Sequence, residues 1–180
     1  MTAVDSHSPD PAGDTGQLRL VRVPLDHPDA QLLVEEVQAE YVRRYGGRDD
    51  TPVDPDEFEP PRGGFHIALL DGVPVASGAW RWREDLTVLG VQRPAELKRM
   101  YVRPAWQRRG IARAVLAHLE AEAQAAGARV VVLETGTAQP EAIAFYEASG
   151  YEPVASFGHY RESELNRCFA RRIGGPAVPL

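Results

Sequence analysis

With 180 residues, 43% of them hydrophobic, the chain is long enough to bury one substantial core and too short for two full domains. A formal net charge of −6 excludes a general nucleic-acid binder, which needs a basic surface to neutralise phosphates, so any arginine cluster is a local patch on an acidic protein. Cys168, the lone cysteine, excludes an internal disulfide framework and a cysteine-rich zinc site, and points to a reducing cytoplasm.

Residues 1–16 are rich in Pro, Gly, Ser and Asp and are expected to form a disordered tail. They show neither a basic start nor an apolar run, and no later stretch is apolar for long enough to span a bilayer, so neither export nor membrane insertion is expected. A single domain is expected over 17–173, with a loose end over 174–180. Leu18, Leu20, Val21 and Val23 predict a first strand that Pro24 ends. Asp29 is placed to cap a helix over 30–45, with Leu32, Leu33, Val37 and Tyr41 facing inward.

The stretch 46–64 is a long loop rich in Pro and Gly that carries Asp49, Asp50, Asp54, Asp56, Glu57 and Glu59. Loops of that length without a pattern of their own are commonly functional or disordered. This one reads either as a solvated connection or as an acidic lid that concentrates a cationic, amine-bearing substrate. Asp71-Gly72 between the apolar runs 65–70 and 73–83 predicts a hairpin. Trp80 and Trp82 alternate on it with Arg81 and Arg83; the tryptophans suit packing, while the arginines suit an acid-bearing amine. Residues 96–102 form the next strand.

The segment 99–113, RMYVRPAWQRRGIAR, then reads as strand, turn and helix. Pro104 stops the ladder because it lacks an N–H. From Gly110 onward, Ile111, Ala112, Val115, Leu116, Leu119 and Ala123 recur at helical spacing. The joint places Gly110 and Ala112 where a helix has unpaired backbone N–H groups. With the partial positive charge of the helix start and Arg108, Arg109 and Arg113, those amides make a seat for a phosphorylated ligand. An ordinary turn with solvated arginines, or a mononucleotide binder, accounts for these residues as well. Beyond Gly127, a helix-capping glycine, 129–133 (RVVVL) predicts a buried strand of the parallel kind. A helix over 139–149 closes at Gly150, and 151–157 and 166–171 read as two last strands paired over a long turn.

The spacing Gln107-x-x-Gly110-x-Ala112, entered from a strand, resembles the acyl-CoA motif of the GNAT superfamily of N-acetyltransferases. Ala142-x-x-x-Tyr146-x-x-x-Gly150-Tyr151 resembles the signature that closes that fold, and the helix, strand, loop and helix between the two motifs match its order. The resemblance covers nearly everything except the tails. It implies an α/β fold with a GNAT-type mixed, mostly antiparallel central sheet, a splayed parallel strand pair within it, and flanking helices. It implies acetyl-CoA as co-substrate and transfer of the acetyl group to a primary amine of a small molecule or protein. A non-catalytic acyl-CoA-binding sensor or regulatory module is the alternative. The resemblance calls for no metal and fits a cytoplasmic protein, and dimers are common among similar proteins.

In similar proteins a bulge frees backbone amides that bind the thioester carbonyl and the pantetheine arm; these correspond to Met100, Tyr101 and Val102. Gln107, Arg108, Arg109, Gly110, Ile111, Ala112 and Arg113 would hold the diphosphate. Tyr146 matches the tyrosine that protonates the CoA sulfur in many members, a role open to a phenol near pKa 10; a packed aromatic is the plainer reading. Glu96, near the start of its strand, and Glu134, at the C-terminal end of a buried strand, are the candidate bases. Either serves equally as the partner of an arginine, and some members use no dedicated base. His66 and His159 are further candidates by residue type, since imidazole is the side chain suited to proton transfer near neutrality, although a lone histidine on a strand is more often packed. One departure stands out: many members carry a cofactor-contacting asparagine where this chain has Gln139, followed by a Pro140 that suits a first helical turn.

Overall fold

The computed structural model describes residues 16–174, so the expected tails lie outside the described residues apart from Gly16 and Gly174. In chain order the elements are β1 (Leu18–Arg22), α1 (Pro28–Tyr45), β2 (Gly63–Leu70), β3 (Val73–Trp82), β4 (Thr87–Val88), β5 (Val91–Gln92), β6 (Ala95–Val102), α2 (Ile111–Ala125), β7 (Val130–Gly136), α3 (Pro140–Ala148), β8 (Glu152–Val154) and β9 (Asn166–Arg172). Short 3-10 turns add Pro55–Phe58 and Pro104–Trp106. Seven strands join one sheet in the order β1-β2-β3-β6-β7-β9-β8, and β4 and β5 make a separate hairpin. Every neighbouring pair is antiparallel except β6 with β7. This is the mixed sheet with one parallel pair that the sequence motifs imply.

Alternation along the strands divides the core between the two faces of the sheet. On one face α2 lays Ile111, Val115, Leu116 and Leu119 against Ala68, Val75, Trp80 and Leu97, and α3 adds Tyr146 to the same cluster. On the other, Ala30 and Leu33 of α1 meet Phe58, Phe65, Ile67 and Ala79. A third cluster sets Val91 of β5 against Val130, Val132, Phe157 and Cys168. No helix among the described residues is long and apolar enough to cross a membrane.

Four expectations need correction. Leu32 is 44% exposed, because the inward stripe of α1 runs through Ala30, Leu33 and Val37. The cap of α1 is not Asp29 but His27, whose ring Nδ1 accepts from the Asp29 amide at 3.2 Å, and Pro28 occupies the first turn. The strand 130–136 is parallel only to β6; on its other edge it runs antiparallel to β9. The last hairpin pairs as expected, but β8 stops at Val154.

Candidate active site

Strands β6 and β7 pair only through Ala95–Leu97 and Val131–Leu133 and then part. The cause lies on the opposite edge of β6, where Ala79 pairs with Lys98 but Ser77 pairs with Tyr101, so one extra residue is inserted in β6. Arg99 takes a left-handed conformation there (φ 55°), and the Ser77 hydroxyl donates to its carbonyl at 2.9 Å. A bulge of this kind raises the local twist and ends pairing on the free edge. Opposite it, a Cβ on Gly78 would lie 2.8 Å from Val115 and Leu119 and 3.0 Å from the Met100 sulfur. Only glycine lets α2 sit so close above the bulge.

The parted strands enclose a cavity of about 400 Å3. Leu97 to Met100 form one wall and Leu133 to Gly136 the other; Tyr146 comes from α3, Tyr41 and Tyr45 from the end of α1, and Asp49 to Thr51 and Tyr160 from loops. Asp49 binds the Arg99 guanidinium at 3.0 Å, accepts from Thr51, and meets the Tyr160 hydroxyl at 3.2 Å. Burial pushes its carboxyl up, but Thr51 and Arg99 outweigh burial and hold it below the ordinary aspartate value. Tyr160 also donates to Asp50 at 2.6 Å. Of the acidic loop, then, the part over 49–51 covers the cavity, whereas Asp54, Asp56 and Glu59 do not line it.

The two candidate bases differ sharply. Glu134 lines the cavity with a side chain only 8% exposed, 3.5 Å from Lys98 Nζ and accepting from Asn166 Nδ2 at 3.3 Å. Burial raises its pKa, the charge of Glu96 adds to the rise, and Lys98 opposes it. Gly158 covers it so closely that a Cβ there would fall 2.6 Å from both carboxylate oxygens. Glu96 is wholly buried away from the cavity wall, at 2.9 Å from Arg81, 3.1 Å from Arg83 and 3.6 Å from Lys98. Burial pushes its carboxyl up, but Lys98, Arg81 and Arg83 bring it below the ordinary glutamate value. Arg81 and Arg83 are thereby engaged with Glu96, Glu57 and Asp85.

Tyr146 is 7% exposed, packed edge-on against Tyr151 with ring centroids 5.6 Å apart, and burial moves its phenol well above the ordinary value. Gln139 lines the same cavity, its side-chain oxygen accepting from Tyr45 at 3.3 Å and Thr135 at 3.4 Å. Met100 is on the wall; Tyr101 instead points to α1, where its hydroxyl donates to Glu36 at 3.3 Å, and the Val102 carbonyl accepts from Gln107 at 3.0 Å. Tyr41, Asp49, Arg99, Tyr160 and Asn166 are among the cavity residues that sequence reasoning did not place there. Of these five, only Asp49, inside the acidic loop with its neighbour Asp50, carried a signal.

About the helix start, Gly110 is the N-cap of α2 with φ 81°, no side chain caps the first turn, and no acid lies in it. Arg108, Arg109, Gly110 and Arg113 are exposed, Ala112 is half-buried and Ile111 packs into the core. Among the described residues no ion pair engages Arg108, Arg109 or Arg113. The first amides of α2 therefore have no acceptor among the described residues and lie beside exposed arginines.

A mixed sheet whose single parallel pair opens over a cavity, next to a glycine-led helix start, defines an acyltransferase type of architecture. The chain belongs to the acetyltransferase (GNAT) family, whose model matches residues 32–151. Over 71 residues it is 39% identical to the IAA acetyltransferase of Azospirillum brasilense, a match that takes in 39% of this chain and 46% of that protein. It thus spans about half the length of the curated relative it matches. Among solved structures, an acetyltransferase from Thermus thermophilus superposes with a TM-score of 0.65 at 21% identity, over 88% of this chain and 99% of its own. A GNAT family acetyltransferase from Elizabethkingia anophelis, with acetyl-CoA bound, does so at 0.60 and 12% identity, over 89% and 100%.

Proposed function

We propose that the chain is an acetyl-CoA-dependent N-acetyltransferase that acts on the primary amine of a small molecule. The observation that carries this reading is the parting of β6 and β7 over a cavity that brings Glu134 and Tyr146 to one space. A cavity of about 400 Å3 that is partly open to solvent suits a small amine better than a folded protein's surface. Acetyl-CoA supplies an acetyl group activated as a thioester. The chain fits it at two places: the uncapped amides of α2, beside Arg108, Arg109 and Arg113, can hold a diphosphate, and the unpaired inner edge of β6 around Met100 can bind an extended amide-bearing arm.

Glu134 is the base in this reading. An amine arrives as an ammonium ion, and a carboxylate whose burial raises its pKa takes the proton more readily than an exposed one. The freed amine attacks the acetyl carbon, the carbon–sulfur bond breaks, Tyr146 gives its phenolic proton to the departing sulfur, and the second proton lost by the nitrogen restores the phenol. Burial keeps that phenol protonated at neutral pH, and the proton held on Glu134 later passes to solvent. Glu96, bound by three cations and away from the cavity, has a structural part in the same reading.

The test is release of free CoA thiol from acetyl-CoA in the presence of a panel of primary amines. Amine-dependent release that falls in Glu134→Gln and Tyr146→Phe supports the proposal. Tight acetyl-CoA binding with no release for any amine would instead indicate the sensor or regulatory module.

A further inference from the structure

Across α2 from the active cavity, the sheet and the helix bring together three groups that the proposed transfer reaction does not use. His66 lies on β2, and its neighbour across the ladder is Gly78, so the imidazole rises toward α2 without a facing side chain. His118 and Glu122 stand four residues apart on α2 and therefore share one helix face. The rings of His66 and His118 meet edge to face with centroids 4.7 Å apart. His66 Nε2 comes within 3.0 Å of Glu122 Oε2, and one ligand atom from each of the three residues falls within 4.8 Å of the others.

The ring nitrogens are poorly served for so buried a site. His66 is 1% exposed; its Nδ1 has no hydrogen-bond partner among the described residues, and its Nε2 has only the 3.0 Å approach of Glu122 Oε2. His118 Nε2 is likewise buried without a partner. Orphaned polar atoms at this depth call for an explanation, and an ion that all three groups face is one.

We propose that His66, His118 and Glu122 form a divalent transition-metal site of the His2Glu type, filled by Zn2+, that clamps α2 to β2. Two imidazoles and one carboxylate with a fourth position open to water are a zinc donor set. Bonds of about 2.0–2.1 Å require ligand atoms about 3.4 Å apart, so the cluster must tighten by roughly an ångström. His118, whose side chain is 31% exposed, has room to make that move. Arg22 stands against the site: its guanidinium holds Glu122 at 3.0 and 3.2 Å. Being 46% exposed, it can swing outward or remain on the carboxylate oxygen that the ion leaves free. The Trp80 indole nitrogen is also buried without a hydrogen-bond partner among the described residues. Neither Gly110 nor the parted strands take part, so the site stands or falls independently of acetyl transfer.

Equilibrium dialysis of the full, untagged chain against Zn2+ tests this directly. The expected result is one Zn2+ per chain, with a rise in Tm that Mg2+ does not produce. His118→Ala and Glu122→Gln should each weaken binding about tenfold or more, while His159→Ala, at an exposed position elsewhere, should leave it unchanged. His118→Ala lies on a partly exposed helix face and keeps helix propensity, so the fold should survive it. Less than one Zn2+ bound per wild-type chain at saturation, or an affinity untouched by both α2 variants, overturns the proposal.

Discussion

Replacing Glu134 by Gln separates a catalytic carboxylate from a structural one. The amide is nearly isosteric and can still accept from Asn166, which lies 3.3 Å from Oε1. Lys98 loses one partner at 3.5 Å but keeps Glu96 at 3.6 Å. The fold should therefore tolerate the change. Burial raises the Glu134 pKa in the folded chain. A carboxyl that holds its proton more tightly when folded favours folding below its unfolded value, and that contribution is lost as pH rises through the folded value. At pH 7 the buried charge is thus a cost, and Gln should leave Tm equal or slightly higher. Catalysis should move the other way: loss of a positioned base lowers kcat/KM by about 10²–10⁴-fold, or roughly 3–5 kcal/mol of barrier. The wild-type rate should climb with pH through the raised carboxyl pKa, and the variant should lose that limb. Thiol-release kinetics from pH 5 to 9, with thermal melts alongside, provide both measurements. A variant with wild-type kcat/KM and an unchanged acid limb refutes the base assignment; so does an activity loss that merely follows a fall in Tm.

Tyr146→Phe keeps the aromatic packing against Tyr151 and removes the proton donor, so kcat should fall about 10²–10⁴-fold with little change in acetyl-CoA affinity by calorimetry. Gly110→Asp places a negative charge at an uncapped helix start where a Cβ meets nothing within 4 Å but φ is 81°; the backbone strain should lower Tm by a few degrees, while acetyl-CoA affinity drops about tenfold or more at temperatures where the fold is intact. His66 should make the chain acid-sensitive in chelator. Its pKa of about 4 in the fold, against 6.5, gives stability that is complete above pH 6.5 and is lost progressively down to about pH 4. The loss amounts to about 3 kcal/mol at most, and denaturant melts of His66→Gln should show a flatter pH profile.

Periodicity and turn chemistry made most of the sheet and all three helices legible, because each of those elements encodes its own inward face. The β4–β5 hairpin was not, since its strands are two residues long and its turn is Leu89-Gly90, both at positive φ, rather than a sequence that announces such a turn. Leu32 and Leu33 show the limit of reading one helix alone: adjacent leucines cannot both face the sheet, and only tertiary contact selects Leu33. The site divides in the same way. Gly110 and Tyr146 lie in local motifs, but Glu96 and Glu134 look alike in sequence. What separates them is Arg81 of β3 and Arg83 just beyond its end, around one, and a cavity beside the other. Tyr160 and Asp49, 111 residues apart, meet only because two loops converge.

The bulge at Arg99 explains why the opening falls where it does. Beyond Leu97, β6 keeps β3 as far as Val102, and β7 keeps β9 as far as Gly136, so each parting strand retains a full partner on its outer edge. Only the inner edges lose ladder bonds, and buried backbone groups without partners are costly unless something else satisfies them. An amide-rich ligand laid between the strands would do so, which makes the gap a binding site by the same hydrogen-bond accounting that makes the rest of the sheet stable. The inserted residue also turns the Arg99 guanidinium to Asp49, so the distortion that opens the strands anchors the loop that covers them. Shape and cover thus depend on a single inserted residue, which ties the accessibility of Glu134 to the register of β3 on β6.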